Sequence, residues 1–486
     1  MRGVGARLLC SRLWLLFAGL LAGCSYEHVA HRPGEHAATP GNGFSLHYVE
    51  ADDDGWLWHA SQASAALAAI REAAAKEDTI VLLYVHGWHH SAACCDGNVE
   101  GFKKVLDRLQ AELRKPMYEQ ARRDAHKATG VPQSFSVVGV YVGWRGRSLP
   151  GLFDYLTFWG RKSAASRVGQ SDFREFMSRL QQAFNEHNRP NGASSRRPQT
   201  FLGLVSIGHS FGGQALLDAT SPFIEMQLQG AGRAPVYLRE PPQRGTRPQL
   251  SGALSGFGDL VVLVNPAVEA AAYQRMHALA MGFGYSQAQT PLMLTISADN
   301  DGPRHSLFEI GRRIGEIFTL AASREDPRQR EMAREALGVH PGQVTHRLAP
   351  VDESVALEKS TLESEPEKYC GTETCRFDWY RWRSRPAAVA DSIPSDRFTP
   401  AVARTIAAFD FSQPLSFADV HLSRLAGAID YQPLIVASAH PGVIDGHNGM
   451  FSEPLMDFLV RYIGFIEAKR YLQTAQRRGW MAPSSP

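Results

Sequence analysis

The chain has 486 residues, 44% hydrophobic, 21% charged and 10% aromatic, with 43 glycines and 28 prolines. That composition excludes a disordered chain, a collagen-like repeat or a simple coiled coil for the bulk of the sequence. The formal charge is +2, but residues 1–23 hold Arg2, Arg7 and Arg12 and no acid; without them, 48 basic side chains face 49 acidic ones. Such a balance offers no polyanion-binding surface, so nucleic acid is not an expected partner.

The first residues read as a targeting signal rather than as part of a fold. The three arginines form a positive region, and Leu13 to Leu20 is an apolar run too short to span a bilayer comfortably. Leu21-Ala22-Gly23-Cys24 resembles a bacterial lipobox. The resemblance implies cleavage before Cys24, lipidation of its sulfur and its new amine, and export with stable membrane anchorage. Ser25 after the cysteine favours, by the same resemblance, the outer membrane facing the periplasm. Residues 24–43, with Pro33-Gly34 and Pro40-Gly41-Asn42, read as a flexible tether. Once Cys10 leaves with the signal and Cys24 is lipidated, Cys94, Cys95, Cys370 and Cys375 remain. A local Cys370–Cys375 disulfide closes the smallest loop; adjacent Cys94 and Cys95 form either a strained bridge or two thiols. Neither pair has zinc-site spacing with nearby histidines.

From Phe44 onward, apolar strands alternate with amphipathic helices, which predicts an α/β fold: a mostly parallel central sheet flanked by helices. Ser45–Val49 and Trp56–His59 flank a turn at Asp52-Asp53-Asp54-Gly55 and predict a hairpin. Ala63–Lys76 is helical by its alanine content. Buried strands are expected at Thr79–Val85, Ser136–Val142, Thr200–Ile207, Asp259–Val264, Leu292–Ile296 and Leu434–Ala437. Helical spacing appears in Val99, Phe102, Leu106 and Leu109, and again in Phe173, Phe176, Met177, Leu180 and Phe184. Gly302 to Tyr431, 130 residues, separates the last strand from its predecessor. That is far more than a strand–helix connection needs, and it reads as a cap or subdomain with a helix near Leu307–Thr319. The expected organisation is a signal (1–23), a tether (24–43), a core in two parts (44–301 and 432–475) and the insertion (302–431).

The chemistry centres on Gly208-His209-Ser210-Phe211-Gly212-Gly213. Gly-x-Ser-x-Gly alone is a weak signal, but here a buried strand ends at Gly208 and a helix starts directly after. Such a turn lifts a serine hydroxyl off the sheet and sets it at a helix N-terminus, where negative charge is favoured. A phosphate loop would need Gly-Lys-Ser/Thr, which is absent. His86-Gly87-Trp88 follows the first buried strand, and His86, His89 and His90 match no familiar helical zinc motif. The turn after Leu292–Ile296, Ser297-Ala298-Asp299-Asn300-Asp301-Gly302, fails as a calcium loop, since Ser297 supplies no first carboxylate and Phe308 stands at the twelfth position. Trp88, Trp144 and the aromatic run Leu149–Trp159 stand on loops above the sheet, where they line an acyl pocket, form a lid, or pack under the insertion.

Together Val85-His86-Gly87-Trp88, Val142-Gly143-Trp144-Arg145-Gly146, the serine elbow and Gly446-His447-Asn448 resemble the α/β-hydrolase superfamily of esterase and lipase type. Within it the chain resembles bacterial lipoprotein hydrolases of unassigned substrate, with the match running from about Phe44 to Ile466 apart from the insertion. The resemblance implies a triad in the order serine, acid, histidine, with Ser210 as nucleophile. His447, ahead of a C-terminal helix capped by Ser452, is the expected base, with His440 as the alternative. Asp301 is the expected acid, Asp299 the alternative, and Glu269 a remoter option. Backbone N–H groups of Trp88 and Phe211 form the expected oxyanion hole. No cofactor or metal is required, and the implied substrate is a small ester or a lipid. Thioester hydrolysis, amide hydrolysis and acyl transfer use the same groups; a catalytically silent lipoprotein scaffold is the reading from another class. Oligomeric state is left open.

Overall fold

Continuous apolar runs fix the centre of the molecule. Asp78-Thr79-Ile80-Val81-Leu82-Leu83-Tyr84-Val85 is buried at every position, as a strand covered on both faces must be. The computed structural model describes residues 29–32, 39–40, 43–126, 134–148, 157–189, 200–231, 247–250, 252–301, 327–351, 409–417 and 419–480. The signal with Cys24, most of the aromatic run, the helix expected near Leu307–Thr319 and the Cys370/Cys375 pair lie outside the described residues.

Among the described residues eleven strands form one sheet: β1 (Thr39–Pro40), β2 (Phe44–Glu50), β3 (Asp78–Val85), β4 (Phe135–Gly143), β5 (Leu202–His209), β6 (Leu260–Val264), β7 (Met293–Ala298), β8 (His346–Pro350), β9 (Leu415–Phe417), β10 (Val420–Arg424) and β11 (Leu434–Ala439). Their order is β1-β2-β4-β3-β5-β6-β7-β11-β8-β10-β9. From β2 to β8 in that order every pairing is parallel; only the two flanks are antiparallel. A mostly parallel mixed sheet needs cover on both faces, and helices provide it. One face packs on α2 (Gly97–Leu113), α3 (Pro116–His126) and α9 (Glu453–Arg477). The other packs on α1 (Ala60–Lys76), α4 (Phe158–Gln170), α5 (Asp172–Asn188), α6 (Phe211–Gly230) and α7 (Ala270–Ala280), while α8 (Pro327–Arg334) lies against α7. Among the described residues no helix is long and apolar enough to cross a membrane.

Four expectations change. The segment 302–431 does not lie wholly outside the core: β8, β9 and β10 come from it and extend the sheet beyond β11. The predicted hairpin is reduced to one bridge, Ala51 to Leu57, flanked by bonds from Asp52 N to Trp56 O and from Trp58 N to Glu50 O, both at 2.9 Å. Part of the expected tether is docked: the Glu50 carboxylate accepts from the N–H groups of His31 (2.7 Å) and Arg32 (2.8 Å), and Arg32 O accepts from Gln62 Nε2 at 3.0 Å. Ser452 precedes α9 but does not cap it by side chain; its hydroxyl donates to Val443 O at 2.6 Å.

Candidate active site

Parallel strands bring their C-terminal ends to one edge, so the loops after β3, β4, β5, β6, β7 and β11 converge there. Ser210 stands between β5 and α6 with φ 55° and ψ −122°, a conformation rare for a residue with a side chain. Its neighbours leave no room for any residue but glycine. A Cβ on Gly212 would lie 2.2 Å from Val85 O and 2.4 Å from His86 O, and one on Gly208 would lie 2.8 Å from Gly212 O. The strain at Ser210 is held by backbone bonds: its N–H donates to Val264 O at 3.0 Å, and its carbonyl accepts from Ala267 N at 3.1 Å.

Two further loops reach the serine. His447 Nε2 lies 2.7 Å from Ser210 Oγ, and His447 Nδ1 lies 2.7 Å from Asp301 Oδ2. The Asp301 carboxylate is fully buried, and the His447 side chain keeps 14% of its exposure. An imidazole bonded to a buried carboxylate carries its proton on Nδ1, which leaves Nε2 as the acceptor facing the hydroxyl.

The alternatives are occupied elsewhere. Asp299 is ion-paired with Arg347 and accepts from the Ser438 hydroxyl, so its carboxylate serves the β7–β11–β8 seam. His440 Nδ1 accepts from Gly442 N at 3.0 Å within its own turn. Glu269 pairs with Lys162 at 3.0 Å, and the same ammonium donates to Gln214 Oε1 and Ala267 O.

The loop after β3 is held rigidly. His86 is buried with both ring nitrogens bonded: Nδ1 lies 2.9 Å from Gly87 O, and Nε2 accepts from Trp144 N at 3.0 Å. Burial pushes its pKa down to about 4, so the ring is neutral. Trp144 stacks on it with ring centroids 5.7 Å apart and returns a bond from Nε1 to His86 O. This tryptophan therefore braces the loop. A Cβ on Gly87 would fall 2.7 Å from Ser210 Cβ, so the backbone ahead of Trp88 passes directly against the serine. Phe211 is the first residue of α6, and its N–H has no partner inside that helix. The Phe211 ring lies under Phe158 (4.9 Å) and Trp88 (6.2 Å).

Two residues of the site escape a reading of the sequence. Asn265 Nδ2 donates to His447 O (2.9 Å) and Gly446 O (3.1 Å), while its Oδ1 accepts from Ala298 N at 2.8 Å. His209 Nε2 also meets His447 O at 3.0 Å, and burial pushes that ring's pKa down to about 3. From the other side, Asn300 accepts from Gly446 N and donates to Asp445. The available signal was a polar residue closing an apolar strand, as Asn265 closes Leu260–Val264.

Cys94 and Cys95, between this loop and α2, are exposed free thiols with sulfurs 3.4 Å apart. Compared with known proteins, the chain matches no family model, no curated protein and no solved structure.

Proposed function

We propose that this protein is a serine carboxylester hydrolase of the α/β-hydrolase kind, working through an acyl-enzyme. The observation that carries the reading is the relay Asp301–His447–Ser210, with 2.7 Å at each step. A serine hydroxyl is a poor nucleophile until a base takes its proton in the act of attack. His447 Nε2 takes that proton as Ser210 Oγ bonds to the carbonyl carbon, and Asp301 stabilises the imidazolium that results. The carbonyl oxygen gains charge and is met by the N–H groups of Trp88 and Phe211, each donor contributing about 3 kcal/mol to the transition state. The carbon–oxygen bond of the leaving group then breaks, and His447 returns the proton to the departing alkoxide. A water activated by the same imidazole attacks the acyl-enzyme, releases the acid and restores Ser210.

No step draws on a cofactor. An ester fits better than an amide on elementary grounds, because an alkoxide leaves more readily than an amine. The lipobox resemblance adds membrane anchorage through lipidated Cys24, in the outer membrane facing the periplasm. A silent scaffold would have no use for a strained serine aligned with an imidazole and a buried carboxylate. A fluorophosphonate probe is the direct test. The wild-type protein takes up one label and loses esterase activity, whereas Ser210→Ala takes up none; an unlabelled, folded wild type refutes the reading.

A further inference from the structure

Among the described residues, three of the four exposed large apolar side chains gather beside the C-terminal end of β2; the fourth, Met226, lies on α6. Val29 keeps 69% of its exposure, Trp56 65% and Trp58 42%. Val29 and Trp58 line one shallow cleft with Trp144 and Arg145. Trp56 and Trp58 are two apart in an extended stretch, where alternate side chains share a face, and the intervening Leu57 packs inward. The indoles are held outward by a stiff turn: Asp52 Oδ1 accepts from the N–H groups of Asp54 and Trp56, both at 2.9 Å, and Trp58 N donates to Glu50 O at 2.9 Å.

Around these indoles three carboxylates of one turn, Asp52, Asp53 and Asp54, face three guanidiniums, Arg145, Arg161 and Arg167. Asp53 is clasped by Arg145 and Arg161, and Asp54 pairs with Arg167. Two exposed indoles amid locally neutralised charge suit the boundary between phospholipid headgroups and acyl chains, where an amphipathic ring is stabilised at both ends.

The chain's own path selects the same partner. Residues 31 and 32 are tied to the Glu50 carboxylate, and Arg32 also donates from Nε to Ala92 O. Only five residue steps separate Cys24 from Val29. Fully extended, they span at most about 18 Å, so a lipid on Cys24 holds Val29 within that distance of the bilayer. We propose that the Val29–Trp56–Trp58 face seats this protein on a phospholipid bilayer, with the Ser210 edge of the sheet turned toward the lipid.

The orientation follows from topology. The turn that bears the tryptophans leaves the C-terminal end of β2, and β2, β4, β3 and β5 are parallel neighbours. Ser210, at the C-terminal end of β5, is therefore on the same edge, three strand spacings away, about 14 Å. On the hydrolase reading, on which this consequence rests, the substrate is an ester dissolved in the membrane or carried at its surface.

The test uses the full-length lipoprotein, reconstituted into phosphatidylethanolamine–phosphatidylglycerol vesicles whose acyl chains carry bromine. Bromolipid should quench part of the wild-type tryptophan emission, and Trp56→Ser/Trp58→Ser should lose that quenchable part. Hydrolysis of a bilayer-dissolved ester should fall by about tenfold in the double variant while a water-soluble p-nitrophenyl ester is turned over as before. Equal quenching in both proteins overturns the proposal. So does protection of the two indoles in cells without any quenching by lipid, which assigns the face to a protein partner. Mass analysis of the N-terminal peptide separates the anchor from the face: an unmodified Cys24 with quenching that depends on Trp56 and Trp58 removes the anchor and keeps the face. If the soluble ester is not hydrolysed by either protein, the hydrolase reading fails, and the quenching comparison still decides the face.

Discussion

The two edges of the sheet bury ionisable groups to opposite effect. At the C-terminal edge, His86 and His209 lose water but gain partners, and burial holds both rings neutral with pKa values near 4 and 3. At the N-terminal edge, Asp259 precedes β6 and Glu467 reaches over from α9; burial pushes both carboxyls upward, and the Asp259 charge raises Glu467 further, while a hydrogen bond from Glu467 holds Asp259 down. A Cβ on Gly203, near the start of β5, would lie 2.0 Å from Glu467 Oε2, which places this pair at the opposite end of the strand that leads to Ser210. One edge has its protons assigned by hydrogen bonds, as the proposed proton transfer requires. The other is a desolvated acid pair with Arg470 nearby, its guanidinium 3.9 Å from Asp259. Changes in the Asp301–His447–Ser210 relay at the first should alter turnover with little effect on stability, and changes in the acid pair at the second should do the reverse.

The largest expected effect tests which imidazole belongs to the transfer edge. His447→Ala should lower kcat for a p-nitrophenyl ester by about 10⁴ or more, while His440→Ala stays within a few-fold of wild type. Near-normal turnover in His447→Ala would dissolve the distinction between the edges. Asp301→Asn follows, with an expected loss of about 10³ to 10⁴ in kcat, because an amide at this position presents the wrong tautomer to the serine. Asp299→Asn should leave kcat within a few-fold and instead cost about 1–3 kcal/mol in urea denaturation, because Arg347 loses its counter-charge.

That contrast also shows where a sequence stops being informative. Ser210 is legible because its glycines are imposed by contacts: Gly212 faces Val85 O and His86 O, and no other residue fits. His447 is legible from its place after the last apolar strand. Asp299 and Asp301 are two residues apart in one polar turn, and nothing local separates them. What does is Arg347 on β8 and Ser438 on β11, which claim the first and leave the second to the histidine. Strand β8 was itself hidden, since His346-Arg347-Leu348-Ala349-Pro350 carries two polar side chains that are buried only because β10 and β11 flank it. Val420-His421-Leu422-Ser423-Arg424 hides for the same reason. The parallel centre is readable because both its faces are apolar; the antiparallel flank is not, because its burial is created by partners distant in the chain.

Asn265 sharpens the picture of the transfer edge at smaller magnitude. Its amide bonds both Gly446 O and His447 O while accepting from Ala298 N, so it ties the histidine loop to β7. Asn265→Ala should lower kcat by about ten- to a hundredfold through a misplaced imidazole, with KM little changed. An unchanged kcat would assign His447 placement to His209 and Asp301 alone.

The smallest effect on activity comes from the other edge, where the signal is in the pH dependence of stability. The folded chain keeps His86 and His209 neutral, whereas the unfolded chain protonates them near pH 6.5. Their contribution is therefore complete above that value and is lost as pH falls toward 4 and below. Glu467 and Asp259 act with the opposite sign. Their folded pKa values lie above the unfolded carboxyl range, so the folded state binds more protons there and stability falls as pH rises out of that range. Glu467→Gln keeps the side chain's shape and removes the charge that must be desolvated. The variant should match wild type in urea denaturation at pH 4 and exceed it at pH 8, with ester turnover unchanged at both. A variant that is less stable at pH 8 would mean that Glu467 is ionised and held by Arg470 in the folded state, and the two edges would then bury their charges by the same rule.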